Sequence, residues 1–134
     1  MKTVVLKFGG TSVGGLDRIK KVARIIATYK KKKFKIIVVS SAMSGTTNDL
    51  INKSKKISNN FDRAEYDCLL ASGEQIACSL IAGRLNHLGI KSRSWMSWQI
   101  PIITDGPHSA SKIYKIYKKE ILKYINSGGI PIIP

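Results

Sequence analysis

The sequence predicts an α/β fold, a three-layer sandwich around a largely parallel sheet, and three observations support it. Strand-like and helix-like segments alternate along the 134 residues. The segment 34–40, FKIIVVS, is apolar almost throughout, as in strands that are covered on both faces. Hydrophobic residues make up 43% of the chain, which suffices for one domain with a buried core.

Each element is predicted from side-chain periodicity and from the residues that end it. The predicted strands are the apolar or alternating runs at 2–8, 34–40, 90–96, 99–104, 111–116 and 130–134. The first of them, at 2–8, is predicted to be buried. The predicted helices cover residues 16–30, 49–57, 64–88 and 118–126, with a loop, SAMSGTTN, at 41–48. Gly89 is the stop signal of the third helix, and Pro101 favours an edge position or a strand start.

Charge and composition narrow the possible partners. The net charge is +15, but the lysines are scattered over predicted helix faces and turns, with one block at Lys30–Lys33. We interpret this charge as solvated surface with weak attraction to polyanions, rather than as a specific nucleic-acid interface. No apolar run approaches the length of a membrane span, and the N-terminus does not read as a signal peptide. Cys68 and Cys78 match no metal or disulfide spacing, so we expect a cytoplasmic protein without a metal site of its own.

The segment KFGGTSVGG follows the first predicted strand and precedes the first predicted helix. Gly9 and Gly10 lack the Cβ atoms that would keep backbone N–H groups away from a phosphate, and the helix N-terminus adds partial positive charge. Lys7 adds a full charge at the same place, which predicts an anion-binding loop. In a Walker loop the lysine follows the glycines, whereas here it precedes them, and the segment does not match GxGxxG either. A tight strand–helix turn with a solvated lysine is the alternative.

Several further segments, taken with this one, carry a family resemblance. They are VVSSAMSGTTNDL (38–50), ASGEQIACSLIAGRLNHLGIKS (71–92), WQIPIITDGPHSASKI (98–113) and ILKYINSGGIPIIP (121–134). In this order and spacing they resemble the aspartate kinases of the amino acid kinase family over nearly the whole chain. The resemblance implies phosphorylation of L-aspartate to 4-phospho-L-aspartate by ATP with Mg²⁺, the first step towards lysine, threonine and methionine.

The resemblance also implies roles for particular residues. Lys7 is implied to be catalytic, stabilising charge on the transferred phosphoryl group. The residues implied to lie at the ATP phosphates are Lys7, Phe8, Gly9, Gly10, Thr11, Ser12 and Ser41. Thr47 and Glu74 are implied to bind the amino-acid substrate.

Simpler explanations stand beside some of these roles. Thr46, Thr47 or Asn48 could cap the helix that follows them. His108 matches a family position, but turn structure accounts for it equally well. Trp95 and Trp98 are expected to pack in the core or at an interface.

The resemblance further implies that residues 1–134 are the N-terminal portion of a catalytic domain, without its C-terminal nucleotide-binding part and regulatory domains. We therefore expect these residues to be inactive alone and the complete enzyme to be a homodimer. The apolar strand at 130–134, with no element after it, favours the same interpretation. The alternatives are a kinase of the same family acting on glutamate, acetylglutamate, carbamate or a nucleotide, and a non-catalytic basic binding module.

Overall fold

The computed structural model describes residues 2–134. Within them the chain forms, in order, β1 (Thr3–Phe8), α1 (Leu16–Lys31), β2 (Lys35–Ser40), α2 (Thr46–Ile57), α3 (Arg63–His87), β3 (Ser92–Ser94), β4 (Ile102–Asp105), β5 (Lys112–Ile116), α4 (Lys119–Asn126) and β6 (Ile130–Ile133). No helix in this range combines the length and apolar character needed to cross a bilayer.

Four strands form a parallel sheet in the order β1-β2-β6-β3. Lys7 pairs with Val39, which in turn pairs with Ile133. The predicted α/β fold with a largely parallel sheet is therefore confirmed.

The sheet is covered on both faces, which gives the three predicted layers. On one face, Val38 and Ile132 are fully buried against apolar side chains of α1 and α3. On the other face, Ile37 and Ile133 pack with Trp95 and with the buried side of α4. Alternating residues of one strand serve the two cores because successive side chains point to opposite faces.

Strand β1 differs from the buried strand that the sequence predicts. Its exposure alternates, and the Val5 side chain is 58% exposed. The strand lies at the edge of the sheet, and α4 packs against β2 and β6 rather than against β1. One face of β1 is therefore uncovered within residues 2–134, and Lys7 lies on that face with Val5.

The strand predicted at 99–104 is wrong in its start. Residues 97–101 form a turn, and β4 begins only at Ile102. It pairs with β5 in a separate antiparallel hairpin, with an irregularity between Ile103 and Thr104. The strand predicted at 90–96 is likewise shorter, at Ser92–Ser94.

Three lysines fix the end of α4 and thereby the start of β6. Lys30 Nζ donates to the Gly128 carbonyl at 2.7 Å, Lys35 Nζ to Asn126 Oδ1 at 2.8 Å, and Lys91 Nζ to Ser127 Oγ at 3.0 Å. Cations at a helix C-terminus are favourable because the unpaired carbonyls carry partial negative charge. Three of the basic residues that give the chain its positive charge thus make structural hydrogen bonds.

The two cysteines differ in environment, which predicts different reactivity. Cys78 is fully buried in α3, and burial together with the nearby Glu74 charge raises the pKa of its thiol to about 12, whereas Cys68 is exposed. Because the thiolate is the nucleophile, a water-soluble disulfide reagent at pH 8 should modify Cys68 quickly and Cys78 only after unfolding. Equal rates for both thiols in the native protein would contradict the burial of Cys78.

Candidate functional site

The candidate site lies at the carboxyl edge of the parallel sheet. The glycine loop at 9–15 follows β1, and the loop at 41–45 follows β2. The turn at 96–101 lies just beyond β3, and Pro134 lies beyond β6. Parallel strands end at the same edge, so these four segments come together there, where open α/β sheets bind ligands.

The glycine loop leaves backbone donors free at its start. The N–H groups of Ser12 and Val13 both donate to the Gly9 carbonyl, at 2.9 and 3.3 Å, and the fully buried Val13 anchors the loop in the core. Among residues 2–134, the N–H groups of Gly10 and Thr11 donate to no other residue. A Cβ atom on Gly9 would meet nothing within 4 Å, so this part of the loop faces open space.

The glycine loop is docked on the loop that follows β2. The Ser41 N–H donates to the Phe8 carbonyl at 3.1 Å, and the Ser44 N–H donates to the Gly10 carbonyl at 3.2 Å. A Cβ atom on Gly10 would lie 3.1 Å from the Ala42 carbonyl oxygen, which is tighter than ordinary packing. Gly10 therefore permits the close approach of the two loops, while Gly9 is open towards solvent.

Helix α3 packs against the loop that follows β2. A Cβ atom on Gly73 would lie 3.0 Å from the Ala42 Cβ and 3.2 Å from the Thr46 Cγ2, so the absence of a side chain lets the helix pack closely. The adjacent Glu74 accepts a hydrogen bond from the Ala42 N–H at 3.3 Å through Oε1. The sequence motif SGEQ thus positions the loop as well as supplying a carboxylate.

Two helix N-termini open onto the same edge. Helix α1 starts after Gly15 and α2 after Gly45, whose φ of 84° is in the left-handed region, and neither has a side-chain cap. The expectation that Thr46, Thr47 or Asn48 caps α2 is wrong, because the helix begins three residues earlier than predicted. The Thr46 N–H donates to the Met43 carbonyl at 3.0 Å, whereas the N–H groups of Thr47 and Asn48 donate to no other residue among 2–134. These two groups are available to a ligand, and a helix N-terminus favours negative charge.

Lys7 ends in solvent beside these loops. Its side chain is exposed, and within residues 2–134 its ammonium group pairs with no carboxylate. Lys7 pairs in register with Val39, and Val39 with Ile133, so its side chain lies on the sheet face that α4 partly covers. The lysine is thus a free cation at the edge where the N–H groups are unoccupied.

A cavity of about 190 Å³ lies next to Glu74. Its lining residues come from α3, from the turn after β3 and from the end of β6: Ala71, Glu74, Gln75, Met96, Ser97, Trp98 and Pro134. Glu74 is half-buried, and its Oε2 atom accepts no hydrogen bond from residues 2–134. The cavity therefore offers one carboxylate oxygen to a cationic group.

The structure brings most of the implied site residues to one edge. Ser41 is joined to Phe8 by a backbone hydrogen bond, and the exposed Thr47 lies in the first turn of α2. Two residues that contribute to the site, Gly73 and Trp98, were not assigned to it from sequence. Their roles depend on contacts between distant segments, although both lie within the motifs that carry the resemblance.

His108 has a structural partner on α3. Its Nδ1 atom is 3.2 Å from Asp67 Oδ2 on α3, and the Ser109 N–H donates to the same oxygen at 2.8 Å. The backbone N–H and hydroxyl of Ser109, with a smaller effect of His108, lower the pKa of Asp67. These contacts fasten the turn of the β4–β5 hairpin to α3, which favours the turn interpretation of His108.

The two tryptophans have different surroundings. Trp95 is 7% exposed and lies in the core on the α4 side, as predicted, whereas Trp98 is 65% exposed and is not a core residue. Within residues 2–134, no group of three or more His, Cys, Asp and Glu side chains could hold a metal ion.

Known proteins resemble this chain in sequence and in fold. Aspartokinase of Rickettsia conorii is 44% identical over 136 residues, covering 99% of this chain and 34% of the relative. The structure of aspartate kinase from Synechocystis superposes with a TM-score of 0.80 at 27% identity, covering 98% of this chain and 21% of that one. The structure of E. coli aspartokinase III in complex with aspartate and ADP also superposes with a TM-score of 0.80, covering 98% of this chain and 40% of that one. At 18% sequence identity this is a likeness in fold.

The chain thus spans about a third of the length of the curated relatives it matches. Residues 2–134 also match the amino acid kinase family. With nearly the whole chain matched, and with the parallel sheet and glycine-rich edge described above, the chain belongs to the amino acid kinase family.

Proposed function

We propose that this chain supplies the phosphate-binding edge and the acceptor site of an aspartate kinase. The reaction is transfer of the γ-phosphoryl group of ATP to the β-carboxylate of L-aspartate. The 44%-identical relative is an aspartokinase, and the E. coli enzyme of the same fold holds aspartate and ADP. Because the chain spans about a third of such relatives, this is the activity of a protein of their full length.

The observation that carries the proposal is the arrangement of free donors at one sheet edge. The N–H groups of Gly10 and Thr11, the uncapped first turns of α1 and α2, and the unpaired Lys7 all lie beside the docked loops. Oriented N–H groups and a cation are what a polyphosphate requires.

In this arrangement catalysis depends on position and electrostatics. Lys7 faces the phosphates and stabilises the charge that develops on the transferred group. Thr11, Ser12 and Ser41 add hydroxyl donors beside the glycine loop. Since the docked loops fix these groups before the reaction, little reorganisation is needed during transfer.

Magnesium enters this account as part of the Mg·ATP substrate. Mg²⁺ in kinases is held by one or two carboxylates together with the phosphates. Among residues 2–134 no three or more His, Cys, Asp and Glu side chains come together, and we assign no metal ligand to this chain. No step in the proposal therefore depends on a metal held by this chain.

The acceptor amino acid occupies the cavity beside Glu74. Its ammonium group pairs with the free Oε2 of Glu74, whose Oε1 is already held by the Ala42 N–H. Its α-carboxylate lies towards Thr47 and the N-terminus of α2, where negative charge is favoured. We further propose a cytoplasmic location and a homodimer for the complete enzyme.

The role of Lys7 is tested by Mg·ATP binding. Lys7→Ala should weaken binding of Mg·ATP to the 134-residue chain about 10-fold, because a charge-assisted contact to phosphate is lost. Lys2→Ala is the matched control: it removes the same charge next to the opposite end of β1 and should change the dissociation constant little. Equal losses in both variants would mean that only net charge attracts the nucleotide.

The role of Glu74 is tested by L-aspartate binding. Glu74→Gln should weaken L-aspartate binding by about 10- to 100-fold, since an ammonium group loses its carboxylate partner, and should leave Mg·ATP binding nearly unchanged. Glu65→Gln makes the same charge change in the first turn of α3 and serves as the control. If Glu74→Gln weakens both ligands equally, Glu74 only positions the loop at Ala42.

A further inference from the structure

The cavity beside Glu74 differs in the charge of its lining residues from three other cavities of the molecule. Three further cavities within residues 2–134 are each lined by at least two lysine or arginine residues. The Glu74 cavity has no lysine, arginine or histidine in its lining, although the chain carries a net charge of +15. Its one charged lining side chain is the carboxylate, and its one aromatic lining side chain is Trp98.

Trp98 lies beside this cavity in a hydrogen-bonded turn. The N–H groups of Gln99 and Ile100 both donate to the Met96 carbonyl, at 2.9 and 3.2 Å, while Gln99 Oε1 accepts from the Met96 N–H at 2.9 Å. Ile100 is 2% exposed and anchors the turn in the core. A turn fixed in this way leaves the indole of Trp98 65% exposed, and part of it forms a cavity wall.

We propose that Trp98 is a specificity-determining residue, whose indole ring and the Glu74 carboxylate together hold the ammonium group of the amino-acid acceptor. The face of an indole carries negative electrostatic potential and attracts cations. An ammonium group has three donors, so one can bond Glu74 Oε2 while another side of the group meets the ring. This inference rests on the proposed acceptor site and adds the residue that distinguishes an amino acid from a plain dicarboxylate.

The alternative is that Trp98 only shapes the cavity. A wall of the right shape would favour L-aspartate and succinate alike, because both have the same carbon skeleton and two carboxylates. A cation–π contact acts on L-aspartate alone, since succinate has no ammonium group. Attraction of either anion to the basic surface is the same in a wild-type and a variant chain, so the ratio of their affinities isolates the effect of the ring.

The experiment measures the dissociation constants of L-aspartate and succinate by calorimetry with the 134-residue chain. Trp98→Leu should weaken L-aspartate about 5- to 30-fold and leave succinate unchanged, because the π-face is removed while an apolar wall remains. Trp98→Phe should lose less affinity for L-aspartate, because phenylalanine keeps an aromatic face, although one that attracts cations more weakly than indole does. Tyr114→Leu replaces an aromatic residue that is 75% exposed on the hairpin, and should change neither constant.

Three results would overturn the proposal for Trp98: an unchanged ratio of the two affinities in Trp98→Leu, no binding of L-aspartate by the wild-type chain, or equal affinity of the wild-type chain for the two ligands. The outcome for the acceptor site itself is read separately from Glu74→Gln. Loss of L-aspartate binding in Glu74→Gln but not in Trp98→Leu would keep the acceptor site and reject the role of Trp98. Equal affinity of the wild-type chain for succinate and L-aspartate would reject both.

Discussion

The close docking of the glycine loop on the loop after β2 is the constraint on which the site depends. A Cβ atom on Gly10 would crowd the Ala42 carbonyl oxygen. A Cβ atom on Gly73, in α3, would crowd the Ala42 side chain. These contacts bring three segments together at Ala42, where Glu74 also accepts its hydrogen bond. The glycine loop, the loop after β2 and the Glu74 carboxylate thus keep their relative positions through close packing that requires glycine at both positions.

The large positive charge does not by itself define a function. Lys30, Lys35 and Lys91 bond the end of α4 and hold it to the amino edge of the sheet. Other lysines lie on exposed helix faces, and two pair with aspartates of their own helices. A non-catalytic basic module would gain nothing from the free donors at the carboxyl edge or from a cavity with a lone carboxylate, so the kinase proposal accounts for more of the structure.

The sequence predicted the features that depend on local residue pattern. It did not predict those that depend on contacts between distant segments. The helix predicted at 64–88 nearly matches α3, which covers Arg63–His87, because Gly89 is a local signal for its end. The start of α2 was missed because Gly45 adopts a left-handed conformation that the sequence did not reveal. The exposed face of β1 and the separate β4–β5 hairpin depend on which strands become neighbours. The contact of Glu74 with Ala42 joins residues 32 positions apart, so the resemblance could name the carboxylate but not its partner.

The central claim is that polyphosphate binds the free donors of the docked loops rather than the basic surface in general. Its most direct test is titration of the ¹⁵N-labelled 134-residue chain with Mg·ATP, followed by amide chemical shifts. The account predicts the largest shifts at Gly9, Gly10 and Thr11 and in the first turns of α1 and α2. Shifts centred on Lys30–Lys33 at the opposite edge, with the glycine loop unchanged, would contradict it.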